Sequence, residues 1–453
     1  MGNSLRVLIE KGETTFQDVL EIMKNKTRKF QGKLRASEKV TATRDPQGNH
    51  ATDDEPYFSK QWSIFRVPEH IREVDEKAYN PRVVAIGPFH RDRPELKAME
   101  AQKLRLYEEL VKQIGDEGRE VGLRTVIKKL EGRARNCYSE EFDCISSEEF
   151  VQMMVLDGCF IVELMRLYHK SNQDGEHLEE PIFATRWMLP SITRDLLMLE
   201  NQLPFFVLQE IYKLTIVSEK ETPLNKLALL FFEPLRPQKG EYSEIKLQDQ
   251  GKHHHLLALF HSSFLPCDYH RPSPRRGMRW NRQESLPGKF WLDEVRILRR
   301  SGIKLRSNPG NLLNIEFENR ELRIPTLFID DSTGPLFRNL LAYEQCNAFA
   351  APYFTCYAIF LNSIITMPED IEILQDTGII KQSKARDEEV VSLINSLTKE
   401  LVFDLHDMND CYIAQQIEDI NAFCRTWMSK CIYQLSKIDF ISIGLSFIFP
   451  SFK

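Results

Sequence analysis

The stretch Ser147–His169 limits what this chain can fold into more than any other. Phe150, Val151, Met154, Val155, Gly158, Phe160, Ile161, Leu164, Met165, Leu167 and Tyr168 cover almost the whole circumference of a helix. A helix that is apolar all round has to sit in the middle of a protein, wrapped by other elements. Asp157 and Glu163 fall inside it, and a buried carboxylate without a partner is very costly. The sequence therefore predicts a central helix whose two acids are paired with groups elsewhere.

Other helices are predicted around it. Val83-Val84-Ala85-Ile86 is a short apolar run stopped by Gly87-Pro88, which suits a buried extended segment and a turn. Asp92 can cap the next helix, with Pro94 in its first turn and Glu95 completing a pattern like a capping box. Leu96, Met99, Leu104, Tyr107, Leu110, Val111 and Ile114 then recur at helical spacing, and residues 117–135 read as a charged, exposed helix. Thr193–Leu214 is again helical and very apolar, but Pro204 cannot donate its amide, so the helix must kink or restart there. Glu200 and Asn201, just before the break, are placed to bind the freed carbonyls or an arginine. A helix over His254–Phe264 lies between two loops rich in Pro, Arg, Gly and Ser, 235–252 and 268–290. The period then changes to two. Ile303–Leu305, Leu313–Phe317 and Leu322–Pro325 alternate apolar and polar, with Glu318-Asn319-Arg320-Glu321 as a hairpin connection. Helices resume at Ser332. The expected fold is mainly α: a large helical domain with a small antiparallel β-sheet near residues 303–329.

The domain plan follows from composition along the chain. Residues 1–60 carry a basic run from Lys24 to Lys39 and little to bury, and read as a flexible extension. Residues 61–430 form one helical domain, and 431–453 a short apolar tail. The net charge of −6 offers no global basic field for nucleic acid. The arginine-rich stretch from Arg271 to Arg306 lacks the interleaved aromatics of a stacking platform, so no nucleic-acid partner is expected. The 28 Phe, against 13 Tyr and 5 Trp, carry no polar handle and are expected in the core. The nine cysteines show no Cys-x-x-Cys spacing, which fits free thiols in a reducing compartment. No signal-peptide hydrophobic region follows Met1, and Arg6 stands where a myristoylation motif needs Ser or Thr.

Two apolar stretches raise the question of a membrane. The first, between Glu344 and Glu369, is diluted by Asn347, Pro352 and Asn362, and a kinked, buried core helix is the expectation. The second, Ile438–Pro450, is short for a span and suits an interface or packing on the domain.

Recognisable chemistry is sparse. The chain has no Gly-x-Gly-x-x-Gly, P-loop, Gly-x-Ser-x-Gly or His-Glu-x-x-His motif. His253-His254-His255 with His261, Cys267 and His270 is the one metal-like cluster, and an ordinary run of histidines is the favoured reading. Asp330-Asp331 with Glu344 has the oxygen chemistry for a divalent cation, though such residues more often cap the helix that follows. No catalytic residue, metal ligand or cofactor is assigned.

The order of several motifs resembles the plant family catalogued as domain of unknown function 247. Those motifs are Val67-Pro68, Ala78-Tyr79-Asn80-Pro81, Ile86-Gly87-Pro88-Phe89-His90, Leu96–Glu100, Asp157-Gly158-Cys159-Phe160 and Asp195–Pro204. Ser262–Pro266, Ile329-Asp330-Asp331-Ser332-Thr333, Arg338-Asn339-Leu340, Tyr343-Glu344-Gln345-Cys346 and Tyr412-Ile413 continue the series. The resemblance implies a plant protein, largely helical, without established enzymatic activity. It implies a membrane-associated location through a C-terminal spanning helix, and kinship with proteins linked to pollen–stigma recognition in self-incompatibility. Here the 431–453 tail stands in place of the family's usual anchor, so a cytosolic location is expected should that tail not anchor. The polar residues Asp157, Glu163, Asp195, Glu200, Asn201, Asp330, Asp331 and Glu344 are expected to be structural. The functional expectation is a non-enzymatic interaction or recognition protein with an unknown protein partner and a membrane surface as a second contact. The alternatives are a truncated form without function and an unrecognised hydrolase built on Asp157, Glu163, Glu200, Asp330 and Asp331.

Overall fold

A computed structural model describes residues 62–114, 117–174, 180–216, 221–238, 253–264, 291–383, 385–403 and 411–426. The expectations for residues 1–60, for most of loop 235–252, for loop 268–290 and for the 431–453 tail lie outside them. The fold is mainly α, as the periodicities predict.

The first helices are α1 (Ala98–Ile114), α2 (Glu117–Arg135) and α3 (Ser147–Asp174). They are followed by α4 (Met188–Asp195), α5 (Phe205–Thr215), α6 (Leu224–Phe231) and α7 (Leu256–Ser262). The apolar helix α3 is the axis of this half, and α1, α2, α5 and α6 pack directly on it. Gly158 sets how closely one of them comes: a Cβ there would lie 2.2 Å from Ile211 Cδ1 of α5. The second half holds α8 (Val295–Arg300), α9 (Thr333–Cys346), α10 (Tyr353–Ile364), α11 (Pro368–Asp376) and α12 (Asp387–Leu397). Helix α9 packs on α7, α10 and α12, and a single apolar cluster runs through both halves.

Two breaks follow from local chemistry. The helical pattern expected over 193–214 is interrupted between α4 and α5, and Pro204 stands immediately before α5. The chain restarts there, as a proline without an amide requires. Pro352 likewise stands immediately before the buried α10, so the apolar stretch after Glu344 holds one buried core helix that starts at the proline and is not kinked by it. No helix among the described residues is long and apolar enough to cross a membrane. Asp92 does not cap: a 3-10 turn at Pro94–Leu96 precedes α1 without a side-chain cap, and Asp92 faces solvent.

The sheet differs from expectation in its pairing. Strands β1 (Lys304–Asn308), β2 (Glu316–Glu318) and β3 (Glu321–Pro325) lie in the order β1-β3-β2. The β2–β3 hairpin is antiparallel and turns through Asn319 and Arg320, both at positive φ (52° and 66°), the conformation of a primed turn. Strand β3, however, pairs with β1 in parallel, Leu305 opposite Leu322 and Ser307 opposite Ile324. Alternation identifies the faces of a strand and leaves its neighbour open, so the sequence pattern could not tell this mixed sheet from an antiparallel one. Strands β4 (Leu327–Ile329) and β5 (Ile380–Gln382) form a second, parallel pair.

Between the first helical turns and α1, the chain runs through the interior without forming a strand. Val84, Ala85 and Ile86 are buried, and Gly87 turns at φ +69°. A Cβ there would stand 2.8 Å from the Gln202 carbonyl oxygen and 3.1 Å from Tyr138 Oη. Neither the backbone angle nor the space admits a side chain. Gly87→Ala is expected to destabilise the protein by about 3 kcal/mol, from positive-φ strain plus overpacking. Urea unfolding of the full chain checks this, and a loss below about 1 kcal/mol would contradict the packing described.

Candidate functional site

The interior segment 82–90 has buried amides and no strand beside it, and a buried amide without a partner costs about 1–3 kcal/mol. Side chains supply what a sheet would have supplied. Asp195, at the end of α4, accepts the amides of Arg82 (2.8 Å), Val83 (2.7 Å) and Val84 (3.2 Å) on one carboxylate oxygen. Its other oxygen meets Arg194 Nη1 at 3.1 Å. Burial pushes the Asp195 carboxyl up to about 6, against the pull of these donors. Asn201 accepts the Ile86 amide at 2.7 Å and donates to the carbonyls of Val84 (3.0 Å) and Asp195 (2.9 Å). Asp157, reaching from α3, accepts the Gly87 amide at 2.8 Å.

Asp157 is also the partner of a buried cation that the sequence pattern missed. Lys103 Nζ lies 2.6 Å from Asp157 and 2.6 Å from Glu100, and donates to the Ala85 carbonyl. Burial works against its charge, but the two carboxylates outweigh it and hold the amine above its ordinary value. On a helix whose exposed face is charged, nothing in the spacing separates Lys103 from its solvated neighbours.

The turn 196–204 carries the rest of the frame. Glu200 accepts the Val67 amide at 2.7 Å and pairs with Arg72, with Arg66 at 3.3 Å and with His90 Nε2 at 3.3 Å. Burial favours its neutral form, yet His90, Arg72, the Val67 amide and Arg66 together hold the carboxyl below its usual range. Arg66 continues to Glu140 at 2.8 Å and lies 4.5 Å above the Phe89 ring. Gln202 donates to the carbonyls of Leu196 (2.7 Å) and Met198 (2.8 Å) and accepts the Leu257 amide at the start of α7 (3.1 Å). Asn339 of α9 accepts the Leu199 amide and donates to the Ala78 carbonyl, both at 2.9 Å.

Glu344 and Asp330 serve helix starts. Glu344 accepts the amides of Phe354 (2.8 Å) and Thr355 (2.7 Å) and the Thr355 hydroxyl (2.7 Å), and pairs with His261 at 2.7 Å. It caps α10 from another helix, where a negative charge is favoured. Asp330 accepts the Ser332 amide (2.9 Å) and hydroxyl (2.6 Å) at the start of α9. Asp331 is exposed. The helix between Ser332 and Glu344 rises about 18 Å, so Asp330 and Glu344 do not share a cation. Cys267 and His270 lie outside the described residues. His255 caps α7, its Nδ1 accepting the Ala258 amide (3.1 Å) while Nε2 donates to the Ser63 carbonyl (3.0 Å). Among the described residues no group of three His, Cys, Asp or Glu side chains is arranged to hold a metal.

Glu163 lines a cleft of about 320 Å³, with Arg166, His169, Lys170, Glu221 and Thr222 among its walls and none of the other predicted acids. Arg166 pairs with Glu221, donates to Thr215 Oγ1 (3.0 Å) and stands 3.6 Å from Glu163. Burial pushes the Glu163 carboxyl up, but its Oε2 and Arg166 Nη2 are covered and make no hydrogen bond. The Thr222 hydroxyl lies 3.0 Å from His169 Nε2, and among the described residues no carboxylate orients that ring. A nucleophile, an oriented base and an exposed acid do not come together here.

The geometry defines a mainly helical protein whose characteristic polar residues form an internal hydrogen-bonding frame. The chain belongs to the DUF247 family of plant proteins of unknown function, whose model matches residues 64–444. It is similar to the UPF0481 protein At3g47200 of Arabidopsis thaliana, 31% identical over 382 residues, covering 80% of this chain and 77% of that protein. It is also similar to a second Arabidopsis UPF0481 protein, At3g02645, 23% identical over 448 residues, covering 80% and 82%. No solved structure matches.

Two measurements follow. Lys103→Met strands the Asp157 carboxylate and is expected to cost about 3–5 kcal/mol. Adding Asp157→Asn is expected to return about 1–3 kcal/mol through the coupling. A double-mutant cycle by urea unfolding reads both, and strictly additive losses would contradict the pairing. His255, which burial pushes down to about 3, must stay neutral in the fold. Its penalty opens below the ordinary histidine value near 6.5 and reaches about 2 kcal/mol by pH 5. His255→Asn is therefore expected to lose less stability between pH 7 and 5 than the parent by that amount. The raised Asp195 titrates with the opposite sign in this range, but equally in both chains. Identical pH dependence would refute the assignment.

Proposed function

We propose that this chain is a non-enzymatic plant protein that acts by binding a protein partner. The observation that supports this is the use of its acids. Asp157, Asp195 and Glu200 are taken up by buried amides and cations, Asp330 and Glu344 by helix starts. A carboxylate hydrolase needs at least two of these acids converging on one cleft, and the cleft that Glu163 lines holds none of the others. Binding through helical and loop surfaces asks nothing of these acids beyond holding the fold. Membrane proximity and a part in recognition signalling of the self-incompatibility type rest on the family resemblance and on the apolar run 438–450.

The test is cross-linking of the tagged full chain, expressed at native abundance in plant tissue, followed by affinity purification and quantification. A protein recovered at near-stoichiometric ratio is the expected result, and recovery of the chain alone would overturn the reading. In the same tissue, resistance of the full chain to alkaline carbonate, lost on ending the chain at Trp427, would support membrane attachment. Full solubility of both would remove it.

A further inference from the structure

The cleft beside Glu163 lacks the groups of a reaction centre, yet it is built as a binding site. Polar bonds tie its walls together. Arg166 of α3 pairs with Glu221 and donates to Thr215 Oγ1 at the end of α5 (3.0 Å). His169 Nε2 lies 3.0 Å from the Thr222 hydroxyl, and Tyr212 Oη donates to the Thr222 carbonyl (2.9 Å). These bonds fix α3, α5 and residues 221–222 against one another, so the cleft is preformed, as small-molecule sites usually are. Its volume of about 320 Å³ is at the small end of the range for such sites, roughly 300–1,000 Å³. Leu110 of α1, Leu167 of α3 and Leu227 of α6 give it an apolar floor, and the exposed Gln113, Lys170 and Gln173 form its rim.

The charges of the cleft are not balanced. Glu221 is already held by Arg166. Glu163 is 6% exposed and its Oε2 makes no hydrogen bond. Burial favours its neutral form even with Arg166 3.6 Å away. Lys170 is exposed and pairs with no acid among the described residues. One uncompensated positive charge therefore stands at the rim of an apolar floor.

We propose that this cleft binds a small monocarboxylate with an apolar body, an alkyl or aryl acid. The Lys170 ammonium receives the carboxylate, and the side-chain amides of Gln113 and Gln173 add donors at the rim. The body lies on Leu110, Leu167 and Leu227, where its burial supplies the non-directional part of the affinity. An amine of the same shape is repelled by Lys170 and finds Glu221 already paired. An alcohol of the same shape forgoes the charge-assisted hydrogen bond, the stronger kind.

The site is tested by titration calorimetry on the full chain, with hexanoate and phenylbutyrate as probes and phenylbutylamine and phenylbutanol as controls. Saturable binding of at least one acid at a single site is expected, with the amine and the alcohol weaker than phenylbutyrate by about tenfold or more. Lys170→Glu is expected to weaken the acid by about tenfold or more, and Lys170→Arg to retain it. Failure of both acids to bind, binding of the amine as tight as that of the acid, or unchanged affinity in Lys170→Glu would each overturn the proposal. Lys170 is exposed, so the urea midpoint of Lys170→Glu is expected to match the parent's. Should that variant not fold, the preference of the parent chain for acid over amine decides the matter.

Discussion

A run of backbone crossing a protein interior must have its amides answered, and here no neighbouring strand does so. Residues 82–87 meet instead a set of side chains from α3, α4 and the turn after it: Asp157, Asp195 and Asn201. Each amide left without an acceptor would cost about 1–3 kcal/mol. That range is comparable with a large part of the few kilocalories by which an ordinary domain is stable. The positions of the helices carrying these acceptors are therefore tied to the path of the segment. Gly87 and Gly158 are the points where close approach leaves no space for a Cβ without movement of a neighbour.

The break between α4 and α5 has the same origin. A continuous helix would spend the amides and carbonyls of 196–204 on itself. Ended at Asp195 and restarted after Pro204, the chain turns Glu200, Asn201 and Gln202 inward to three different elements. Glu344 and Asp370 extend the practice to the second half, Asp370 accepting the amides of Thr366 and Met367 while pairing with Arg296 at 2.8 Å. Helix starts in this protein are thus satisfied in part by acids that also fix one element against another.

Much of this architecture could be read from the residues alone. The apolar circumference of 147–169, the restart at Pro204 and the hairpin at 318–321 each follow from one strong local rule. What could not be read depends on partners far along the chain. Helical spacing puts Leu104 on the apolar face of α1, yet it is 46% exposed, while its neighbour Lys103 is 1% exposed. The reason is Asp157, 54 residues away, which no helical periodicity can register. The acids of the frame stood out as polar residues in apolar surroundings, but backbone amides have no sequence signature, so their acceptors could be suspected and not assigned. Asp370 gave no signal because an acid in a first helical turn is ordinary. The parallel pairing of Lys304–Asn308 was hidden for the reason common to all strands, since alternation shows a face and not a neighbour.

The span of these bonds also bears on the birth of the molecule. The Val67 amide waits for Glu200, 133 residues on; the Ser63 carbonyl waits for His255, 192 on; the Ala78 carbonyl waits for Asn339, 261 on. A ribosome delivers the amino-terminal half at roughly 5–20 residues per second, so residues 62–90 spend many seconds in the cell before their last acceptor exists. Contacts of such long range are slow to form and leave the early chain open to misassociation. The segment that organises the finished interior is thus among the last to lock into place, and nascent chains of this protein present it to whatever chaperones attend the exit tunnel.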